Sequence, residues 1–184
     1  YTSGKWKEQG LLICNEIHPA RAKILSENVE RMGIANAMVT NESPQRLAEV
    51  FEDYFTRILV DAPCSGEGMF RKNEAACEEW NPENVRLCAE RQDGILDCAA
   101  SMLAPGGRIV YSTCTFAPAE NEGSMTRFLL RHPEFHIVEV KKAEGMSAGV
   151  PEWAYFGKKM GQVLPEIAQT IRLWPQHLKG EGHY

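Results

Sequence analysis

The chain has 184 residues, 43% of them hydrophobic, and a formal net charge of −5 at neutral pH. That length suits one globular domain, no apolar run is long enough to span a bilayer, and the acidic balance excludes a surface that grips nucleic acid by bulk electrostatics alone. The opening stretch, Tyr1 to Gly10, is polar and has no secretory character, so a cytoplasmic address is expected; the six cysteines show no Cys-x-x-Cys spacing, which points to thiols rather than a zinc site or disulfide framework.

In chain order, strand-length apolar runs alternate with stretches of helical period, the pattern of a parallel sheet with crossover helices. Leu11 to Ile17 reads as a strand, and Pro19 then opens a helix whose apolar stripe is Ala20, Ile24, Leu25, Val29 and Met32, ended by Gly33. Ala37 to Thr40 is a short strand. Leu47, Val50, Phe51 and Phe55 predict a helix leading into strand Arg57 to Asp61, and Asn81-Pro82-Glu83 starts a long helix ending near Leu103. Pro105-Gly106-Gly107 turns the chain into strand Arg108 to Ser112, Pro118 opens a helix through Leu130, and Phe135 to Val140 alternates as an edge strand. Lys141 to Gln169 has no regular period and reads as irregular, ending in a strand-like Thr170 to Trp174.

Two cysteines fall just beyond strand ends: Cys64 in Asp61-Ala-Pro-Cys-Ser-Gly66, and Cys114 in Tyr111-Ser-Thr-Cys-Thr115. Free cysteine is commonly a small buried hydrophobe. In an α/β sheet, however, ligands bind outside the carboxyl ends of parallel strands. The repeated strand-then-cysteine layout therefore predicts two sulfurs facing one pocket, with Asp61 between them.

The run Asp61-Ala-Pro-Cys-Ser-Gly-Glu-Gly-Met-Phe-Arg-Lys72, followed by Tyr111-Ser-Thr-Cys-Thr115 and Glu120-Asn-Glu122, resembles motifs IV and VI of the Nop/Sun (Fmu) family of RNA cytosine-C5 methyltransferases, particularly bacterial ribosomal RNA members. Similarity extends to Asn15-Glu-Ile-His-Pro19, Pro105-Gly-Gly107, Thr170-Ile-Arg-Leu-Trp-Pro175 and Lys179-Gly-Glu-Gly-His183. The resemblance implies an α/β fold, a Rossmann-like class I methyltransferase sheet with helices on both faces, spanning 1–184. It also implies S-adenosylmethionine as cofactor, no metal, and methyl transfer to carbon 5 of a cytosine in RNA, ribosomal RNA first and transfer RNA as the alternative.

Within that resemblance Cys114 is the nucleophile at carbon 6, Cys64 assists release of the methylated base, and Asp61 bridges to N3 or the exocyclic amine. A reading that makes Cys64 the nucleophile, as in DNA cytosine-C5 methyltransferases with their Pro-Cys motif, stays open. Glu16 stands where an acidic residue binds ribose hydroxyls, and Ser43 replaces the aspartate often found near adenine. Arg71 and Lys72 are candidate phosphate clamps beside the reacting base, Lys141, Lys142, Lys158, Lys159, Arg172, His177 and Lys179 further basic candidates, and Trp80, Phe70 or Phe116 candidate stacking partners for it. The largest departure from the family is an absence: the only Gly-x-Gly sequences are Gly66-Glu-Gly68 and Gly180-Glu-Gly182, so the first strand with its glycine loop is missing, as is the last strand. The expectation is therefore an interior portion of a longer protein, with RNA-binding domains outside it. A non-catalytic RNA-binding or assembly protein that lost the cofactor loop is the alternative of a different class.

Overall fold

The computed structural model describes residues 10–72, 74–155, 161–177 and 182–184, with backbone only at 75, 76 and 79. Lys158, Lys159 and Lys179 lie outside the described residues. The chain forms two compact units, Tyr1–Phe51 and Glu52–Tyr184. Among the described residues, no helix is long and apolar enough to cross a membrane.

The first unit is a β–α–β crossover followed by a short helix. Strand β1, Leu12–Asn15, pairs in parallel with β2, Ala37–Thr40, from Leu12 opposite Ala37 to Asn15 opposite Thr40. Helix α1, Pro19–Arg31, runs between them and buries Ala22 and Val29. Its end follows from one glycine: Gly33 takes φ +64°, and the N–H groups of Gly33 and Ile34 donate to Glu30 O at 2.9 Å and Val29 O at 3.3 Å. Those bonds satisfy two carbonyls that a helix end leaves orphaned, in the left-handed conformation that glycine adopts without steric cost. Helix α2, Pro44–Val50, is capped by the Ser43 hydroxyl, which accepts from Arg46 N–H at 3.2 Å.

In the second unit, strand β3, Phe55–Asp61, pairs in parallel with β4, Leu103–Ser112. The register shifts between Phe55, opposite Leu103, and Arg57, opposite Arg108. The extra residues of β4 at that point contain Pro105-Gly106-Gly107, with Gly106 at φ +74°. The crossover contains helices α3, Glu74–Glu79, and α4, Pro82–Met102, the latter capped by Asn81 Oδ1 accepting from Asn84 N–H at 2.8 Å. Helix α5, Glu122–Arg131, follows β4. Leu96 of α4, Phe128 and Leu129 of α5, and Ile167 form the main core, with Ile109 and Tyr111 of β4 packed against it. Val60, Ala62 and Ala99 form a second cluster under β3. Strands β5, Met146–Ala148, and β6, Ile171–Leu173, make an antiparallel pair, extended by a bridge from Leu173 to His183.

The six strands form three two-stranded ladders, and among the described residues no ladder joins one pair to another. The alternating parallel pattern is thus an α/β fold, with the sequence expectations corrected in several places: α2 ends before Phe51, Phe55 belongs to β3, and β4 starts at Leu103, ahead of Pro105-Gly106-Gly107. Strand β1 is shorter than Leu11 to Ile17, since Glu16 N–H makes the last bond to Thr40 O. Pro118 opens a turn rather than a helix: Glu120 and Asn121 N–H donate three residues back, to Ala117 O and Pro118 O, and α5 begins at Glu122. Phe135 to Val140 is not a strand. Its alternation records burial, with Phe135 and Ile137 packed on the main core and Ile137 N–H donating to Glu166 Oε2 at 3.1 Å. The segment Lys141 to Gln169 is more regular than expected, holding β5 and two 3-10 turns, Pro151–Tyr155 and Pro165–Gln169.

Candidate active site

Strands β3 and β4 end side by side, and the ladder's last contact, Ala62 N–H to Ser112 O at 2.9 Å, releases both chains into loops at the same sheet edge. The first loop turns through Gly66, at φ +75°, into the 3-10 turn Glu67–Met69. Gly68 N–H then donates to Cys114 O at 2.8 Å, fastening the first loop to the second. The consequence is that Cys64 and Cys114, fifty residues apart in sequence, place their sulfurs 3.3 Å from each other, both half-buried. Asp61, at the tip of β3, is solvent-exposed and its charge is felt at Cys114.

The pair divides its protons unequally. The hydrogen bond with Cys64 holds Cys114 below the usual thiol range, against burial and the charges of Asp61 and Glu120. Cys64 moves the opposite way, raised by its hydrogen bond with Cys114, by burial and by the charge on that sulfur. The contact therefore favours the charge on Cys114 and the proton on Cys64, the unequal division that thiolate chemistry uses.

Beneath the thiols lies a buried polar network in which Glu120, part of a motif in the sequence but without a role there, meets Gln92, which carries no sequence signal. Glu120 is fully buried and accepts from Ser65 N–H at 3.0 Å and from Gln92 Nε2 at 2.8 Å. Gln92 also donates to Pro63 O at 2.9 Å, and Ser65 Oγ meets Thr115 Oγ1 at 2.9 Å. Burial pushes the Glu120 carboxyl up, with the hydrogen bonds from Ser65 and Gln92 opposing. Glu67 accepts from Trp80 Nε1 at 2.8 Å and from Phe116 N–H at 3.1 Å, tying the Trp80 ring to the loop after Cys114. Phe116 itself stacks on Trp174 with ring centroids 5.1 Å apart, a packing role. Arg71 and Lys72 are exposed on the turn that follows.

The chain end closes against the same loop. Thr113 N–H donates to Tyr184 O at 3.2 Å, and Tyr184 N–H donates to Thr113 O at 3.1 Å. Gly68 is packed so tightly that a Cβ there would lie 2.7 Å from Cys114 O and closer still to Gly182 O. Gly68→Ala is accordingly expected to cost ~1–3 kcal/mol, the usual range for overpacking, because both obstacles are backbone. Denaturant unfolding of the full-length variant measures the loss, and an unchanged midpoint would mean that the carbonyls can withdraw freely.

In the first unit, Glu16 accepts from His18 N–H at 2.9 Å and pairs with Arg21 at 2.8 Å. It lines a cavity of about 390 Å³ together with Asn15, Arg21, Ile24, Leu25 and Asn28, a size within the range of small-molecule sites. A carboxylate flanked by amides and an aliphatic wall is a donor and acceptor set that fits a ribose diol. Ser43 serves as the cap of α2, leaving its hydroxyl proton to donate. Among the described residues no cluster of histidine, cysteine, aspartate and glutamate is arranged to hold a metal ion.

The family model of the 16S rRNA methyltransferases RsmB/F matches residues 2–184. Ribosomal RNA small subunit methyltransferase F of Shewanella denitrificans is 41% identical over 95% of this chain and 32% of its own length. The tRNA (cytosine(49)-C(5))-methyltransferase of Pyrococcus abyssi is 36% identical over 97% of this chain and 55% of its own. The chain thus spans about a third of the ribosomal relative and about half of the archaeal one. Among solved structures, PH0851 superposes with a TM-score of 0.80 at 27% identity, covering 95% of this chain and 36% of that one. NSun6 from Pyrococcus horikoshii, solved with SFG, superposes with a TM-score of 0.66 at 24% identity, covering 95% of this chain and 40% of that one.

Proposed function

The chain belongs to the RsmB/F family of 16S rRNA methyltransferases, and we propose that it carries the thiol centre of an S-adenosylmethionine-dependent RNA cytosine-C5 methyltransferase acting on ribosomal RNA. The observation that carries this reading is the 3.3 Å contact between the Cys64 and Cys114 sulfurs at the shared edge of β3 and β4. Carbon 5 of cytosine is a poor nucleophile until a thiolate adds at carbon 6. Cys114 forms that sulfur–carbon bond, which shifts the ring electrons to carbon 5. Asp61 hydrogen-bonds the N3 or exocyclic amine edge and offsets the charge that develops there. When bound, S-adenosylmethionine supplies the methyl group. The carbon 5 proton then passes to water, its electron pair restores the carbon 5–carbon 6 double bond as the sulfur–carbon bond breaks, and Cys114 leaves as a thiolate that the Cys64 thiol stabilises by hydrogen bonding.

Glu16 is the residue proposed to hold the cofactor's ribose hydroxyls, exchanging its Arg21 partner for the diol, and Ser43 faces the adenine edge. Arg71 and Lys72 contact phosphates beside an unpaired or flipped cytosine. The remaining RNA-binding surface belongs to other parts of the full-length protein, and the reading places the enzyme in the cytoplasm with its ribosomal substrate. Transfer RNA is the second reading, favoured by the archaeal relative named for that substrate. Full-length protein incubated with S-adenosylmethionine and either 16S ribosomal RNA or transfer RNA tests both, with 5-methylcytidine mapped by mass spectrometry. Methylation of ribosomal RNA is expected; RNA binding with no methylation of either substrate would instead favour a non-catalytic assembly protein.

A further inference from the structure

Keeping a carboxylate dry is costly unless hydrogen bonds offset the loss of water. Glu120 is fully buried, and its carboxylate is held by neutral donors, Ser65 N–H and the Gln92 amide. What those donors belong to is informative. Pro63, tied through Gln92, and Ser65, tied directly, flank Cys64 on either side. Thr115, which meets Ser65 Oγ at 2.9 Å, follows Cys114. Tyr111 O–H donates to the backbone carbonyl of Glu120 at 2.8 Å and fixes the segment to β4.

We propose that Glu120, acting through Gln92, Ser65 and Thr115, is the positioning residue that holds the Cys64 and Cys114 sulfurs in contact. The inference rests on reading Cys114 as the nucleophile, but its tests are thiol reactions that need neither RNA nor methyl donor. Failure to methylate and failure of this proposal are therefore distinguishable. The groups facing the Cys114 thiol are Cys64, Asp61 and Glu120; Glu67, Tyr111 and Cys88 face Glu120 in turn. The Cys64 hydrogen bond pulls Cys114 down, while burial and the charges of Asp61 and Glu120 push it up. Loss of Glu120 thus has opposite signs in its two possible roles. As a neighbouring charge alone, its removal lowers the Cys114 midpoint; as the positioning group, its removal parts the sulfurs and raises it.

The test compares full-length Glu120→Ala, Glu120→Gln and Gln92→Met with the unchanged protein. Iodoacetamide labelling of the Cys114 peptide across pH gives the midpoint. Diamide, which takes up the two thiol hydrogens as it is reduced, gives the rate of Cys64–Cys114 bridging. Glu120→Ala is expected to raise the midpoint and to slow bridging about tenfold or more, the equivalent of a lost charge-assisted hydrogen bond. Glu120→Gln keeps an acceptor for Ser65 N–H and is expected to recover most of the bridging rate. Unchanged bridging in Glu120→Ala, or a midpoint that stays or falls, overturns the proposal. If circular dichroism shows Glu120→Ala to be unfolded, Gln92→Met decides, because it cuts the link to Pro63: slower bridging with a raised midpoint supports the proposal, and unchanged values overturn it.

Discussion

Replacing Cys114 by alanine in the full-length protein is expected to abolish both covalent RNA capture and methyl transfer, whereas Cys64→Ala is expected to accumulate a protein–RNA adduct. The two sulfurs are 3.3 Å apart, yet their environments are unequal, since their contact and surroundings lower Cys114 and raise Cys64. Without Cys114 no bond to carbon 6 forms. Without Cys64 the bond forms but its breakage stalls, because the group that assists elimination is gone. The same change has a second signature. The Cys64 hydrogen bond is the principal reason that Cys114 titrates at about 7, so the labelling midpoint of Cys114 should rise towards the ordinary thiol range in Cys64→Ala. A gel-shifted adduct with Cys114→Ala and none with Cys64→Ala would reverse the assignment and make Cys64 the nucleophile.

The thiol pair was legible in the sequence because each cysteine follows a strand whose apolar run is unmistakable, and parallel neighbours end at one edge. The same logic gave β2 and α4 their bounds closely, the latter through the Asn81 cap and Pro82 at the first helical position. Local signals failed where tertiary contacts decide. Pro118 looks like a helix start, but the following residues are drawn into the buried network: Asn121 accepts from Thr113 Oγ1 at 2.7 Å and donates to Thr115 O at 3.0 Å. Glu120 stands in the motif Glu120-Asn-Glu122, but its partner Gln92 does not show, since no local pattern announces a hydrogen bond spanning 28 residues. Helix α3 has only six residues, too short for a period to register. Leu59 is a different kind of miss. An Ile-Leu-Val run suggests a strand covered on both faces, yet Leu59 is 72% exposed and Val110, its register partner, 53%.

Arg172→Met is expected to destabilise the protein by ~3–5 kcal/mol, the range for stripping one partner from a buried ion pair. Arg172 is 1% exposed and Glu122 fully buried, so Arg172 belongs to the core and is not the RNA contact its charge suggested in the sequence. The guanidinium meets the carboxylate with two bonds, Nε to Oε1 at 2.7 Å and Nη2 to Oε2 at 2.5 Å. Its charge also lies 5.0 to 5.3 Å from the ring centroids of Trp153, Trp174 and Tyr184, a cage that water cannot replace. Methionine fills much of the volume but leaves the Glu122 carboxylate dry with only Val150 N–H, at 3.2 Å, among these donors. The loss should reach the thiol loop, because Arg172 Nη1 donates to Phe116 O at 3.2 Å, two residues beyond Cys114. The double variant Arg172→Met with Glu122→Leu removes both charges and is expected to lose less than the two single changes added together, since most of each single cost is the charge left behind. Urea unfolding of the four proteins measures this coupling. A loss below ~1 kcal/mol in Arg172→Met, or strict additivity in the double variant, would show that the pair is hydrated in solution and does not hold the segment after Cys114 in place.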